Sequence, residues 1–129
     1  MANETILVVE DEALIGLEVT SVLQKQGYRV LPMVKFGDDI IGRVMSEDPD
    51  LVLCDIRLGG FMDGIEAVER LRLVKCDLPV IYMTAYGDEA TRRRAVKTAP
   101  EAILDKPVPN EELLRAVDQA LSGRVSQEA

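Results

Sequence analysis

Histidine is missing altogether from the 129 residues. That excludes a Ser-His-Asp type triad, a His-ligated zinc and a phosphohistidine carrier within this polypeptide. Positive charge is scarce: 15 Lys and Arg stand against 23 Asp and Glu, a formal net charge of −8. Binding a nucleic-acid backbone needs a basic surface, so no direct nucleic-acid partner is expected. Cysteine occurs only at Cys54 and Cys76, without metal-ligand spacing, and Cys54 lies inside an apolar run where a thiol behaves as a small hydrophobe. No apolar stretch approaches a membrane span. The start, Met1-Ala2-Asn3-Glu4, lacks the charged and apolar regions of a signal peptide, so the expectation is a cytoplasmic protein without membrane attachment. Gly59-Gly60 matches neither a P-loop nor GxGxxG, so no nucleotide cofactor is expected.

What is present is apolar sequence in short pieces, 47% of the chain. The length suits one domain, read here as residues 1–122 followed by a polar tail, 123–129. Runs at 6–10, 29–33, 51–55, 79–83 and 101–104 read as strands. The first, third and fourth are continuously apolar, as in a parallel sheet covered on both faces. Helical periodicity separates them. Ile15, Val19, Val22 and Leu23 share a face in residues 12–26, with Gly27 as the stop, and Ile40, Ile41 and Val44 share one in 37–46. Asp63-Gly64-Ile65-Glu66 resembles a capping box, opening a helix that carries Ala67, Val68, Leu71 and Val74 inward. A fourth helix, residues 88–98, has a weak apolar stripe and the basic run Arg92-Arg93-Arg94. A fifth follows Pro109-Asn110 and buries Leu113, Leu114, Val117 and Leu121. Strict βα alternation with right-handed crossovers makes a three-layer α/β sandwich around a doubly wound parallel sheet.

Such sheets bind ligands beyond the carboxyl ends of their strands. Glu10 and Asp11 close the first strand, Asp55 the third and Thr84 the fourth; Lys106 follows the fifth. Each has an ordinary structural reading as a turn former, a helix-start acid or a strand end. Their joint arrival at one rim favours a site. Three carboxylates and one ammonium leave a formal −2, which calls for a cation. With oxygen ligands only, Mg²⁺ is the natural occupant and Mn²⁺ a substitute. Mg²⁺ bound by few carboxylates is completed by phosphoryl oxygens, and a carboxylate beside it can act as nucleophile to form an aspartyl phosphate. Asp55, leaving a central strand, is the best placed.

The motifs Ile6-Leu7-Val8-Val9-Glu10-Asp11-Glu12, Leu53-Cys54-Asp55-Ile56-Arg57-Leu58, Asp63-Gly64, Met83-Thr84-Ala85 and Lys106-Pro107 resemble those of the receiver domains of bacterial two-component response regulators. The resemblance spans nearly the whole chain and implies a flavodoxin-like sheet of order 2-1-3-4-5. It further implies that Asp55 takes a phosphoryl group from the phosphohistidine of a sensor kinase or histidine phosphotransfer protein, or from acetyl phosphate. Asp11, Asp55 and the backbone carbonyl of Arg57 would ligate Mg²⁺ directly, and Glu10 would act through water. Thr84 would move toward the phosphoryl group, Lys106 would pair with it, and the Lys106–Pro107 bond would be cis. No turnover enzyme is implied; output would pass through contacts with a downstream protein, and receivers often pair through their fourth and fifth helices.

The sequence departs from the family pattern at four places. Glu10 stands where Asp is commoner. The loop from Arg57 to Asp63 is about two residues longer than usual and carries Gly59-Gly60 without the customary proline. Ile103 replaces the aromatic switch residue, and Val108 the usual Phe after Lys-Pro. Arg57 and Tyr86 are expected to overhang the phosphoryl group and slow its hydrolysis. A Mg²⁺-dependent phosphatase of the haloacid-dehalogenase type is the alternative enzyme reading, but it needs an Asp two residues after the nucleophile, where Arg57 stands. A degenerate receiver acting as a constitutive binding module is the other, against which the intact acid, Thr and Lys set argues. No DNA-binding module is expected after residue 121.

Overall fold

The computed structural model describes residues 4–85 and 88–128, with the backbone alone for 123–128. Strands and helices alternate as the sequence pattern requires: β1 (Thr5–Val9), α1 (Ala13–Lys25), β2 (Arg29–Val30), α2 (Ile40–Glu47), β3 (Leu51–Asp55), α3 (Gly64–Leu71), β4 (Val80–Thr84), α4 (Glu89–Val96), β5 (Ala102–Asp105) and α5 (Asn110–Glu128). A 3-10 turn, Gly37–Asp39, leads into α2. All strand pairs are parallel, in the order β2-β1-β3-β4-β5. The expected doubly wound (βα)5 architecture is therefore the observed one.

Strand alternation sorts the apolar residues into two cores. Leu7, Val9, Val52, Cys54, Val80 and Tyr82 face α2, α3 and α4, packing against Ile40, Val68 and Ala95 among others. Ile6, Val8, Leu51, Leu53, Ile81 and Met83 face the opposite layer, against Leu23 of α1 and Leu113, Val117 and Leu121 of α5. Because β1, β3 and β4 feed both layers, their sequences have no polar alternation to show. Each large side chain fully buried there contributes about 1.5–3 kcal/mol of transfer free energy.

Most boundaries shift by a residue or two, and three departures are larger. β2 ends at Val30 rather than residue 33: Leu31 still donates to the Ile6 carbonyl at 3.0 Å, but the next donor to β1 is Val34, to the Val8 carbonyl at 3.0 Å, so one extra residue breaks the regular ladder at Pro32-Met33; contact with β1 resumes at a bridge between Val9 and Val34. α3 stops at Leu71, which leaves Val74 half-exposed instead of inward. The α5 backbone runs on as helix to Glu128, through the segment read as a tail. At the start of α3, Asp63 accepts from the Glu66 N–H at 2.8 Å, but the Glu66 carboxylate turns to Arg70 at 3.5 Å, so half of the expected capping box forms. Gly27, at φ 101°, ends α1 in the left-handed region that glycine enters without strain.

Candidate functional site

Register brings the polar strand ends together. Val9 is level with Cys54, so Glu10 stands beside Asp55; Asp55 is level with Met83, and Thr84 with Asp105. Alternation then decides sides. Leu51, Leu53 and Asp55 form one row on the α1/α5 face, while Val80, Tyr82 and Thr84 form a row on the other. Asp55 and Thr84 thus flank the rim from opposite faces of neighbouring strands.

Lys106 ties the cluster. Its Nζ donates to Glu10 Oε1 at 2.7 Å and to Asp55 Oδ2 at 2.9 Å, joining the ends of β5, β1 and β3. The other Asp55 oxygen, Oδ1, accepts the Arg57 N–H at 3.2 Å. Glu10 Oε2 accepts the Glu12 N–H at 3.2 Å, and the Glu10 N–H donates to the Val34 carbonyl at 2.9 Å. Glu10 is fully buried, Asp55 is 4% exposed and Thr84 is buried; Asp11 and Arg57 lie exposed at the mouth. The Lys106–Pro107 bond is cis, as the resemblance implied.

Burial dominates the electrostatics. It pushes the Glu10 carboxyl up to about 7, against the lowering effect of Lys106 and with a further push from Asp55. Burial by itself would lower Lys106, but its bonds to Glu10 and Asp55 outweigh that and hold it above the usual ammonium range. One carboxylate oxygen each from Glu10, Asp11 and Asp55 lie within 4.8 Å of one another. Three carboxylates drawn this close, with one ammonium to offset them, form a site suited to a hard divalent cation by donor type and charge. Beside it, a cleft of about 600 Å³ runs from Asp11, Asp55, Arg57 and Lys106 toward the apolar Ile15 and Val108.

Several contributors had no clear signature in the sequence. A Cβ at Gly64 would collide with the Asp55 carbonyl and stand 3.0 Å from Cys54 Sγ, so α3 approaches the strand end only because residue 64 is glycine. The Asp63-Gly64 motif marked the place without the reason. The Arg57–Asp63 loop is steadied by a parallel bridge between Phe36 and Gly59 and by the Gly64 N–H donating to the Ile56 carbonyl at 2.8 Å. Cys54 is inert: burial pushes its thiol far up, in line with a structural role. Ile103 packs partly buried on the α2–α4 side, level with Tyr82, whose hydroxyl sits 2.7 Å from Thr98 Oγ1. Tyr86 lies outside the described residues, so its expected overhang has no structural account.

The α4 arginines are engaged within the chain. Arg92 pairs with Asp105 at 2.6 Å, Arg93 with Glu89 at 3.6 Å and Arg94 with Asp63 at 3.1 Å.

Residues 6–118 match the response regulator receiver domain. The chain belongs to that family. This receiver is 34% identical over 121 residues to sporulation initiation phosphotransferase F of Bacillus subtilis, covering 94% of this chain and 96% of that protein. It is 36% identical to the transcriptional regulatory protein ResD of the same organism, over 97% of this chain but only 51% of ResD. Among solved structures it is similar to the signal receiver domain of a modulated diguanylate cyclase from Desulfovibrio desulfuricans, with a TM-score of 0.89 and 32% identity over 97% of this chain and 98% of that one. A CheY-like receiver from Methanospirillum hungatei gives a TM-score of 0.91 at 23% identity, over 98% of this chain and 99% of that one, a likeness of fold. Receivers are signalling modules of two-component systems that hold Mg²⁺ in an acidic pocket and work with histidine kinases and phosphotransferases. Neither the phosphatase reading nor the binding-module reading is favoured. No helix among the described residues is long and apolar enough to cross a membrane.

Proposed function

We propose that Asp55 is the phosphoacceptor of this receiver, loaded from the phosphohistidine of a sensor kinase or histidine phosphotransfer protein. The observation that carries this reading is the Lys106 ammonium bridging Glu10 and Asp55 from three strand ends. An Asp55 oxygen attacks phosphorus, the bond from phosphorus to the donor's imidazole nitrogen breaks, and the imidazole keeps the electron pair and takes a proton from water. Mg²⁺, held by Asp11, Asp55 and the Arg57 carbonyl with Glu10 acting through water, would neutralise the equatorial oxygens. Lys106, already 2.9 Å from Asp55 Oδ2, transfers its contact from the carboxylate to the phosphoryl group, and Thr84, buried on the other face of the sheet, moves toward that group so that its hydroxyl donates to another of its oxygens. Arg57 at the cleft mouth shields the acyl phosphate from water, and an R57A variant that loses phosphate no faster than wild type would remove that role.

The output is a change in protein contacts. Pairing of two copies through α4 and α5 requires Arg92 and Arg94 to exchange Asp105 and Asp63 for acids of the second copy, and sedimentation with and without acetyl phosphate measures it. The cytoplasm is the compartment in which kinase phosphodonors are available. The central test is incubation with Mg²⁺ and acetyl phosphate followed by intact mass. A gain of one phosphoryl group that disappears in Asp55→Asn is expected; an equal gain in that variant overturns the assignment.

A further inference from the structure

The chain has two phenylalanines, and neither is in the core. Phe36 is 47% exposed and Phe61 fully exposed; Phe36 stands beside the acidic rim, and Phe61 borders a hollow with Gly37, Asp38, Ile41 and Glu66 on the α2–α3 side of it. Phe36 bridges Gly59 through the backbone. Its ring also covers the next residues: a Cβ at Gly59 would stand 3.5 Å from Phe36 Cε1 and 3.8 Å from Asp11 Oδ2, and one at Gly60 would stand 3.3 Å from Phe36 Cδ1. Gly60 sits at φ 89°, which glycine adopts without strain. The long Arg57–Asp63 loop is therefore clamped beside the acids, and the residue that follows the clamp is Phe61.

A phenylalanine exposes roughly 150–250 Å² of largely apolar surface, and in water that area contributes nothing to folding. Turn and loop tips normally carry polar or small residues. The Asp55 carboxyl opens to the cleft at this rim, so a donor protein must bring its phosphohistidine here and cover the surrounding loops. A small donor such as acetyl phosphate would reach Asp55 without touching residue 61. Clamping the loop in advance also lowers the ordering cost of binding, and exposed aromatics that enter a partner's pocket dominate interface energetics.

We infer that Phe61, presented by the Phe36–Gly59–Gly60 clamp, is the apolar anchor that docks the protein phosphodonor, seating in an apolar pocket beside its phosphohistidine and selecting among donors. The inference rests on the proposed phosphoacceptor role of Asp55.

The test uses the full chain, acetyl phosphate, and a panel of autophosphorylated sensor-kinase catalytic portions, from which the fastest donor to wild type is taken. Phe61→Ala should slow transfer from that kinase at limiting receiver by about tenfold or more, as for a truncated hot-spot aromatic, and leave the acetyl phosphate rate within about twofold. Phe61→Leu should recover part of the loss, and Phe36→Ala, which loosens the clamp, should show a smaller loss of the same kind. Because Phe61 is fully exposed, the thermal midpoint of Phe61→Ala should match wild type. Unchanged kinase transfer in Phe61→Ala overturns the inference, and so does an equal loss with both donors, which would mean the loop shapes the site rather than the docking. Wild type loaded by acetyl phosphate but by no kinase removes the protein donor and the inference together. Absence of loading at Asp55 from either source removes the phosphoacceptor reading itself.

Discussion

Two sets of carboxylate–cation contacts in this receiver use the same chemistry with different consequences. At the rim, Lys106 joins Glu10 and Asp55 with side chains 12%, 0% and 6% exposed. On α4, Arg92 meets Asp105 with side chains 37% and 68% exposed, and Arg94 meets Asp63 at 47% and 36%. Water screens the second set, so each pair contributes between about 0 and 1 kcal/mol. The first set is withdrawn from water, and the penalty is visible in the Glu10 carboxyl, pushed up to about 7 chiefly by burial. One ammonium does not offset three clustered acids. Burial, not residue type, turns a charge pair into a demand for a further cation.

Lys106→Met should separate the two sets most sharply. Removing the ammonium that bonds both Glu10 and Asp55 leaves buried carboxylates without compensation, a loss of about 3 kcal/mol in chelator by urea unfolding. Mg²⁺ should restore much of that loss, and equal stability with and without Mg²⁺ would break the comparison. Next comes Gly64→Ala, which forces α3 away from the Asp55 carbonyl and should cost about 2 kcal/mol of overpacking strain while slowing loading by acetyl phosphate. A variant as stable and as fast as wild type would show that the approach of α3 is not needed.

Glu10→Gln keeps an acceptor for Lys106 and removes a buried charge. Its stability in chelator should stay within about 1 kcal/mol of wild type, while calorimetry should show several-fold weaker Mg²⁺ binding; unchanged Mg²⁺ affinity would detach Glu10 from the metal. Smallest of all, Arg92→Ala and Arg94→Ala should each cost less than about 1 kcal/mol, shrinking further in added salt, with no change in Mg²⁺ affinity. A larger, salt-resistant loss would place α4 with the rim rather than against it.

The apolar runs ending in Glu10, Asp55 and Thr84 were legible because a strand covered on both faces has to be apolar until it surfaces, and the first polar residue marks the rim. Helix faces such as Leu113 and Val117 were legible by the same local periodicity. Val74 misled because its spacing fitted a helix that stops at Leu71. The basic run Arg92-Arg93-Arg94 carried no mark of its partners, which for Arg92 and Arg94 are Asp105 and Asp63 within the chain. An ion pair between distant residues leaves no mark on either local sequence. The Phe36–Gly59 bridge was hidden likewise, since its halves lie in two loops without periodicity.

The amino-acid sequence by itself determined the alternation of strands and helices, the apolar layers and which polar residues end the strands, because periods of two and 3.6 residues are written locally. Only the tertiary structure decided that Lys106 would reach back across 96 residues to Glu10 and 51 to Asp55, that Glu10 would lose its water, and that Phe61 would be left exposed beyond a clamped loop. Those outcomes depend on which strands become neighbours and on how much solvent remains between them.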